Sequence, residues 1–346
     1  MALSFRAFTL RLLKFDKFNG RPIVTFHEGI SEQKAHLLSS EQMRWQENVQ
    51  HQWDPQWEEM TKNAPNMSVT ESEELQTHIL KARLAAVHIE CTNASYGELG
   101  MDDRAVRVYE NLDTYNDSAP AVKECRNLEN KRKMFMDSLR GGKWRSNRIE
   151  ILVGLVQSHL SDPSRPGKIL IFSEFLTALD VVEVAMSEIN QPVLRFDATV
   201  NDALRRSVIE AFYNDNEKNI LLITNCSGGP GLNLTPADCI IHLTPSWNPT
   251  LESQCTDRAI RAGQTQQVYV YHFHSPNSIE ELVCAAQAEK RQKASKLLDP
   301  DTSMLHAMDS IKGWSEEEFR AAVSLVRAPM KTLAHTCILL GGHLVQ

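Results

Sequence analysis

The sequence predicts an α/β fold: a parallel sheet with helices on both faces, preceded by a mainly helical region. Three observations carry that reading. Short apolar runs recur through the second half: "KILIF" (168–172), "VLRF" (193–196), "NILLIT" (219–224), "CIIHL" (239–243) and "VYVYHF" (268–273). Helical periodicity fills intervals between them, with Leu176, Leu179, Val182 and Met186 near one stripe of 176–189. From about Asp202 to Tyr213 a second helix turns Leu204, Val208 and Phe212 inward. Strands that alternate with helices form a parallel sheet covered on both sides. Ligands of such sheets sit beyond the carboxyl ends of the strands, where Ser173 and the turn at Gly228 fall.

The first half is written differently. "RPIVTF" (21–26) has strand composition, but most of residues 31–139 is polar with helical character, and "ELQTHILKARLAAVH" (74–88) has amphipathic helix spacing. From Arg126 to Arg148 eight basic residues stand against two acidic ones, with Gly141, Gly142 and Trp144 among them. The boundary between the halves is expected in or just after this stretch. That gives a connector over 1–142, a sheet domain over 143–298 and a tail over 299–346 of no readable role.

Composition narrows the function classes. At 346 residues, 42% apolar and 23% charged, the chain fits a soluble globular protein. A net charge of −7 argues against a uniformly basic nucleic-acid coat but leaves room for a local basic stripe. The seven cysteines (91, 125, 226, 239, 255, 284, 337) are scattered without metal-ligand spacing, so no metal site and reduced intracellular thiols are expected. No apolar run reaches the roughly 18 residues of a membrane span. Arg6, Arg11 and Lys14, with no acid before Asp16, give the N-terminus a presequence-like charge pattern.

The chemistry concentrates in "GGPGLNLTPADCIIHLTPSWNPTLESQCTDRAIRAGQ" (228–264). Asn248 followed by Pro249 is a helix start and Gly263 a stop. A helix between them buries Leu251, Cys255, Ala259 and Ala262 and sets Gln254, Arg258 and Arg261 on another common face. On spacing alone the arginines suit a solvated face, Arg261 pairing with Asp257. The glycines shift the balance: Gly228, Gly229 and Gly231 follow a buried strand, where they free backbone N–H groups for an anion. No Gly-Lys-Ser/Thr follows, so this is not a phosphate-binding P-loop.

"KILIFSEF", "FYNDNEKNILLITNCSGGPGLNLTPADCIIHLTPSWNP" and "QCTDRAIRAGQTQQVYVYHF", in that order, resemble the C-terminal RecA-like lobe of the Swi/Snf-type DNA translocases, a branch of the superfamily-two helicases. The resemblance runs from Lys143 to Lys296, including the closing helix "IEELVCAAQAEKRQKASKLL", and residues 20–90 are more weakly similar to that family's inter-lobe connector. It implies an arginine finger at Arg261, with Arg258 its partner and Gln254 in the same motif. It implies nucleotide contacts at Gly229, Gly231 and Asn233. It implies DNA contacts at Ser173, Thr224, Asn225 and Trp247, with Arg205 on the same track.

The sequence departs from the family at Ala198, where glycine is usual, at Pro230, and at Asn225-Cys226-Ser227 in place of Lys-Ala-Gly or similar. These 346 residues hold neither a Gly-Lys-Ser/Thr phosphate loop nor an Asp-Glu-x-His box, both first-lobe features. The resemblance therefore implies a second motor lobe of an ATP-dependent translocase or chromatin remodeller, inactive alone. ATP and Mg would be held only with a first lobe supplied in cis or in trans, and double-stranded DNA or chromatin would be the partner, with no membrane. The alternative is a non-catalytic DNA- or protein-binding module derived from such a lobe. Nuclear location follows from the resemblance, with the mitochondrion as the alternative suggested by the N-terminus.

Overall fold

A computed structural model describes residues 17–18, 21–22, 29–47, 69–94, 120–197, 200, 202–225, 227 and 232–298. The N-terminal basic segment, the tail after 298, Ala198, Cys226, Pro230 and the glycines at 228, 229 and 231 lie outside the described residues.

Six strands form one sheet: β3 (Ile30–Ala35), β4 (Lys168–Ser173), β5 (Val193–Phe196), β6 (Ile220–Thr224), β7 (Ala237–His242) and β8 (Tyr269–His274). Their spatial order is β3-β8-β7-β4-β6-β5, and each neighbouring pair is parallel. A separate two-stranded pair joins β1 (Lys17–Phe18) to β2 (Arg21–Pro22). The described helices are α1 (Val69–Val87), α2 (Pro120–Ser138), α3 (Asn147–Leu160), α4 (Leu176–Glu188), α5 (Asp202–Asn214), α6 (Pro249–Thr256) and α7 (Ile279–Leu298).

The central strands are apolar runs because both their faces are covered. Ile169, Ile171, Ile220, Leu222, Cys239 and Ile241 pack with Leu84 and Val87 of α1, Phe135 and Leu139 near α2, and the apolar sides of α3 and α4. Their neighbours Leu170, Phe172, Leu221, Ile223 and Ile240 face Phe212 of α5, Cys255 of α6, and Ala259 and Ile260 beyond it. The fold is thus the expected α/β parallel sheet with helices on both faces. One detail differs in α5: Phe212 is fully buried and Val208 packs against the core, but Leu204 is 54% exposed.

The N-terminal region departs from the helical expectation in one element. "ISEQKA" forms β3, an edge strand paired residue for residue with β8, from Ile30 opposite Tyr269 to Ala35 opposite His274. Its side chains are exposed or half-buried, so it carries no apolar pattern to read. Of the strand expected at 21–26, only Arg21–Pro22 is a strand, and 23–28 lie outside the described residues.

Several bonds cross the boundary expected at 142/143. His88 Nε2 lies 3.0 Å from the Lys143 carbonyl, Ser146 Oγ donates to the Val87 carbonyl at 2.8 Å, and Asn147 Nδ2 donates to the Leu37 carbonyl at 2.9 Å. Ser39 and Gln42 cap the helical residues 40–47 reciprocally, and Gln42 Nε2 reaches the Ala85 carbonyl at 2.8 Å. Residues before the boundary therefore build an edge strand and one wall of the same packed body.

Arg148 is the strongest link between the two parts. It is fully buried, with Nη1 2.8 Å from Glu280 Oε1 and Nη2 on Glu280 Oε2. Its remaining donors reach the Leu243 carbonyl at 3.0 Å, Ser275 Oγ at 3.1 Å and His36 Nε2 at 2.9 Å. Burial and the adjacent guanidinium hold the His36 imidazole neutral, with its pKa lowered to about 3. This one cluster joins the end of β3, the start of α3, the ends of β7 and β8, and the start of α7.

Candidate functional site

The first group of expected site residues gathers at the carboxyl ends of β4 and β6. Ser173 pairs with Thr224 across the two strands, and the Asn225 amide N–H donates to the Ser173 carbonyl at 3.1 Å. The Ser173 hydroxyl does not face outward: Ser173 is fully buried, 3.2 Å from Thr244 Oγ1, and accepts from the Phe175 N–H at 3.1 Å. Ser173 thus turns the chain from β4 into α4, with its hydroxyl engaged inside the protein. Thr224 is also buried and spends its hydroxyl on Ser227. Asn225 is different. It is 5% exposed, yet among the described residues neither polar atom of its side-chain amide has a hydrogen-bond partner. A buried amide with nothing to bond carries a desolvation cost that a bound polar group would relieve.

The Trp-Asn-Pro loop is gripped from several sides. Asn248 caps α6, its Oδ1 accepting from the Thr250 N–H at 3.0 Å, and Pro249 takes the first helical position as the sequence indicates. Trp247 is partly exposed, with its carbonyl 3.0 Å from Lys290 Nζ of α7. Glu252 Oε1 accepts from the Ser246 N–H at 2.7 Å and from Gln287 Nε2 at 2.6 Å. Burial raises the Glu252 pKa despite those donors and Arg291. On the sheet beside it, the His242 and His272 rings stack at 4.8 Å; burial pushes His272 down to about 4 and His242 well below its usual range.

The arginines stand on a turn rather than on a straight helix. α6 ends at Thr256 and Asp257 is its C-cap, so Gln254, Arg258 and Arg261 do not share one helical row. The Arg258 carbonyl accepts from the Leu234 N–H at 2.9 Å and leaves the helical ladder. Gly263, at φ +100°, closes the turn in a conformation that side chains rarely adopt. Ala259 and Ile260 enter the core, while Ala262, expected inward, is exposed beside Arg261. Arg258 is half-buried and Gln254 exposed. Among the described residues no ion pair forms between Arg261 and Asp257. Cys255 Sγ approaches the Asn225 carbonyl at 3.8 Å, which seats the helix that leads to the arginines against the end of β6.

Gln264 holds this turn, and its spacing gave no hint of that. It is buried, and its Nε2 lies 3.1 Å from the Thr235 carbonyl, 2.9 Å from that of Ala237 and 3.3 Å from that of Ala259. Asn233 is exposed nearby, its carbonyl accepting from Tyr213 Oη at 3.0 Å. Gly229 and Gly231, expected to complete the nucleotide side, lie outside the described residues.

Arg205 sits apart from these groups, over the Phe196 ring of edge strand β5 with Nε 2.9 Å from the Val200 carbonyl. The basic stretch from Arg126 to Arg148 is largely neutralised. Arg132 pairs with Asp180 and Glu183, Arg140 with Asp137, Arg145 with Glu150, and Arg148 with Glu280. Lys131, Lys133 and Lys143 remain exposed. Arg132 and Arg148 thus brace the interior, whereas Arg140 and Arg145 form exposed surface pairs. A second buried cluster, Arg195 with Asp180, Glu183 and Asp197, completes that bracing. Burial disfavours its guanidinium, but the three carboxylates outweigh it and raise the pKa.

Comparison with known proteins follows this geometry. The helicase conserved C-terminal domain family matches residues 147–263. Over 156 residues, 45% of this chain and 10% of the relative, the sequence is 35% identical to ATP-dependent helicase ULS1 of Saccharomyces cerevisiae. Over 131 residues, 38% of this chain and 12% of the relative, it is 35% identical to DNA repair protein rad8 of Schizosaccharomyces pombe. The chain thus spans about a tenth of the length of these relatives. The crystal structure of the C-terminal part of the Fun30 ATPase domain superposes with a TM-score of 0.58 at 21% identity, covering 88% of this chain and 99% of that one, a likeness of fold. Over residues 147–263 the chain therefore matches the helicase conserved C-terminal domain on a parallel α/β sheet, and it is similar there to Swi/Snf-type helicases.

Proposed function

We propose that this chain is the second motor lobe of a Swi/Snf-type translocase on double-stranded DNA or chromatin, with Arg261 as its arginine finger. The observation that supports it above others is the turn 257–264. Its backbone is pinned by Leu234 and Gln264, while the Arg261 guanidinium is left in solvent. A planar guanidinium held so can fork onto phosphate oxygens presented by a facing lobe and offset the charge that develops in phosphoryl transfer. Arg258, half-buried on the same turn, and Gln254 complete this lobe's share, together with Asn233, Gly229 and Gly231. Thr224 shapes the adjoining strand end. The phosphate loop, the magnesium ligands and the positioned water belong to a first lobe.

DNA is contacted by Trp247 and by the Asn225 amide, which a phosphate or sugar group would satisfy, with Arg205 further along the track. A chromatin track would be met in the nucleus, the location this reading assigns. The test is to fuse a complete Swi/Snf-type first lobe to this chain and measure ATP hydrolysis with and without duplex DNA. The expected result is DNA-stimulated turnover by the fusion and none by the 346-residue chain alone. Turnover by the purified chain alone, abolished by Arg261→Ala and so not due to a contaminant, would overturn the proposal.

A further inference from the structure

Arg83 belongs to connector helix α1, yet it is buried between the β4–α4 junction and the Trp-Asn-Pro loop, whose Trp247 the proposed function places along DNA. Its guanidinium carbon stands 4.7 Å from the Phe175 ring centroid and 5.7 Å from that of Trp247. Nη2 donates to Glu174 Oε2 and to the Pro245 carbonyl, both at 2.6 Å. The other Glu174 oxygen accepts from Ser246 Oγ, which in turn accepts from the Asn248 N–H at 3.3 Å. Arg83 thus touches the β4–α4 junction and the Trp-Asn-Pro loop at once, by two hydrogen bonds from Nη2 and by lying near both rings.

We infer that Arg83 is a positioning residue: it fixes the Trp247 ring relative to the Glu174–Phe175 junction, so the connector helix sets the geometry of the DNA-facing aromatic. This rests on the reading that Trp247 faces duplex. The chemistry supports it over simple ion-pair bracing. A lysine could keep the charge and hydrogen bonds beside Glu174 and Pro245, but it lacks the planar guanidinium that lies near Phe175 and Trp247. Lys290 and Gln287 reach backbone carbonyls of Trp247 and Ser246, whereas Arg83 lies near the Trp247 ring itself.

The full chain labelled with 5-fluorotryptophan tests this, its Trp247 ¹⁹F resonance assigned through Trp247→Phe, alongside duplex affinity measured by anisotropy. Arg83→Ala should displace the Trp247 resonance, leave that of Trp144 in place, and weaken duplex binding about tenfold, the scale of one stacking contact. Arg83→Lys should recover thermal stability but neither the Trp247 resonance nor the affinity, and it carries the test if the alanine variant does not fold. An unmoved Trp247 resonance in Arg83→Lys, or wild-type affinity with a displaced resonance, overturns the positioning role. Wild-type affinity in Trp247→Ala instead removes Trp247 from the DNA track, a failure of the underlying reading that the resonance data tell apart.

Discussion

Arg148 is fully buried and meets Glu280, Ser275, His36 and the Leu243 carbonyl, whereas Arg261 stands exposed on a turn whose backbone alone is fastened. The residue type is the same and the burial opposite. At Arg148 the guanidinium satisfies groups that the fold has already buried, so its value is structural. At Arg261 the fold orders the backbone and leaves the side chain exposed. The pair shows that an arginine-rich sequence cannot be sorted into bracing and function by count or spacing. What sorts it is whether carboxylates from distant elements converge on the guanidinium.

The sharpest way to break the contrast on the structural side is Arg148→Ala. Removing one partner of a buried pair leaves Glu280 charged and unpaired, so chemical denaturation should show a loss of about 3–5 kcal/mol. The double change Arg148→Met with Glu280→Leu should recover much of it. A loss near zero for Arg148→Ala would mean that the cluster does not hold the N-terminal part to the lobe.

Acid probes the same side. His36 and His272 have folded pKa values of about 3 and about 4, below the ordinary 6.5, because burial disfavours the imidazolium. A lowered histidine pKa means that the unfolded chain binds the extra proton first. Stability is therefore full above about pH 6.5 and falls as pH drops toward 4. Thermal unfolding followed from pH 7.5 to 4.5 should show that decline, and His272→Gln should flatten part of it. A melting temperature independent of pH over that range would contradict the buried, neutral imidazoles.

Gly263→Ala touches the other member of the comparison. At φ +100° a Cβ is strained, so the change should cost about 1–2 kcal/mol by denaturation. In a fused motor it should also lower turnover more than it lowers DNA affinity, because it moves the turn that carries Arg261. Equal losses in both would detach the turn from catalysis. The smallest effect is expected from Lys143→Glu with Arg145→Glu. Arg145 already pairs with Glu150 and covers the Trp144 ring, so duplex affinity should change by no more than about threefold. A tenfold loss with a reduced salt slope would restore this stretch as a DNA contact.

The apolar runs of β4, β6, β7 and β8 were legible because each is covered on both faces, and α7 has the bounds that its sequence indicates. β3 was not, since an edge strand with exposed side chains needs only backbone pairing. Asn248 and Pro249 marked the start of α6, but its end is set by the Leu234 N–H reaching the Arg258 carbonyl, a tertiary bond with no local signal. The inward pairing of Arg132 and Arg148 was not legible for a similar reason: Asp180, Glu183 and Glu280, which pair with them, lie far away in sequence. Gln264 and Arg83 escaped notice because their roles depend on carbonyls and rings contributed by other elements.

The most direct test is Arg261→Ala in the fusion with a complete first lobe, reading ATP turnover and melting temperature on the same sample. An arginine finger contributes roughly 10³–10⁵ in turnover, while an exposed guanidinium on a turn contributes little to stability. The expected result is a rate lowered by at least about a thousandfold, with melting temperature and DNA binding close to those of the unmodified fusion. Turnover within a few-fold of the unmodified fusion would contradict it, and would make Arg261 one more solvated surface charge.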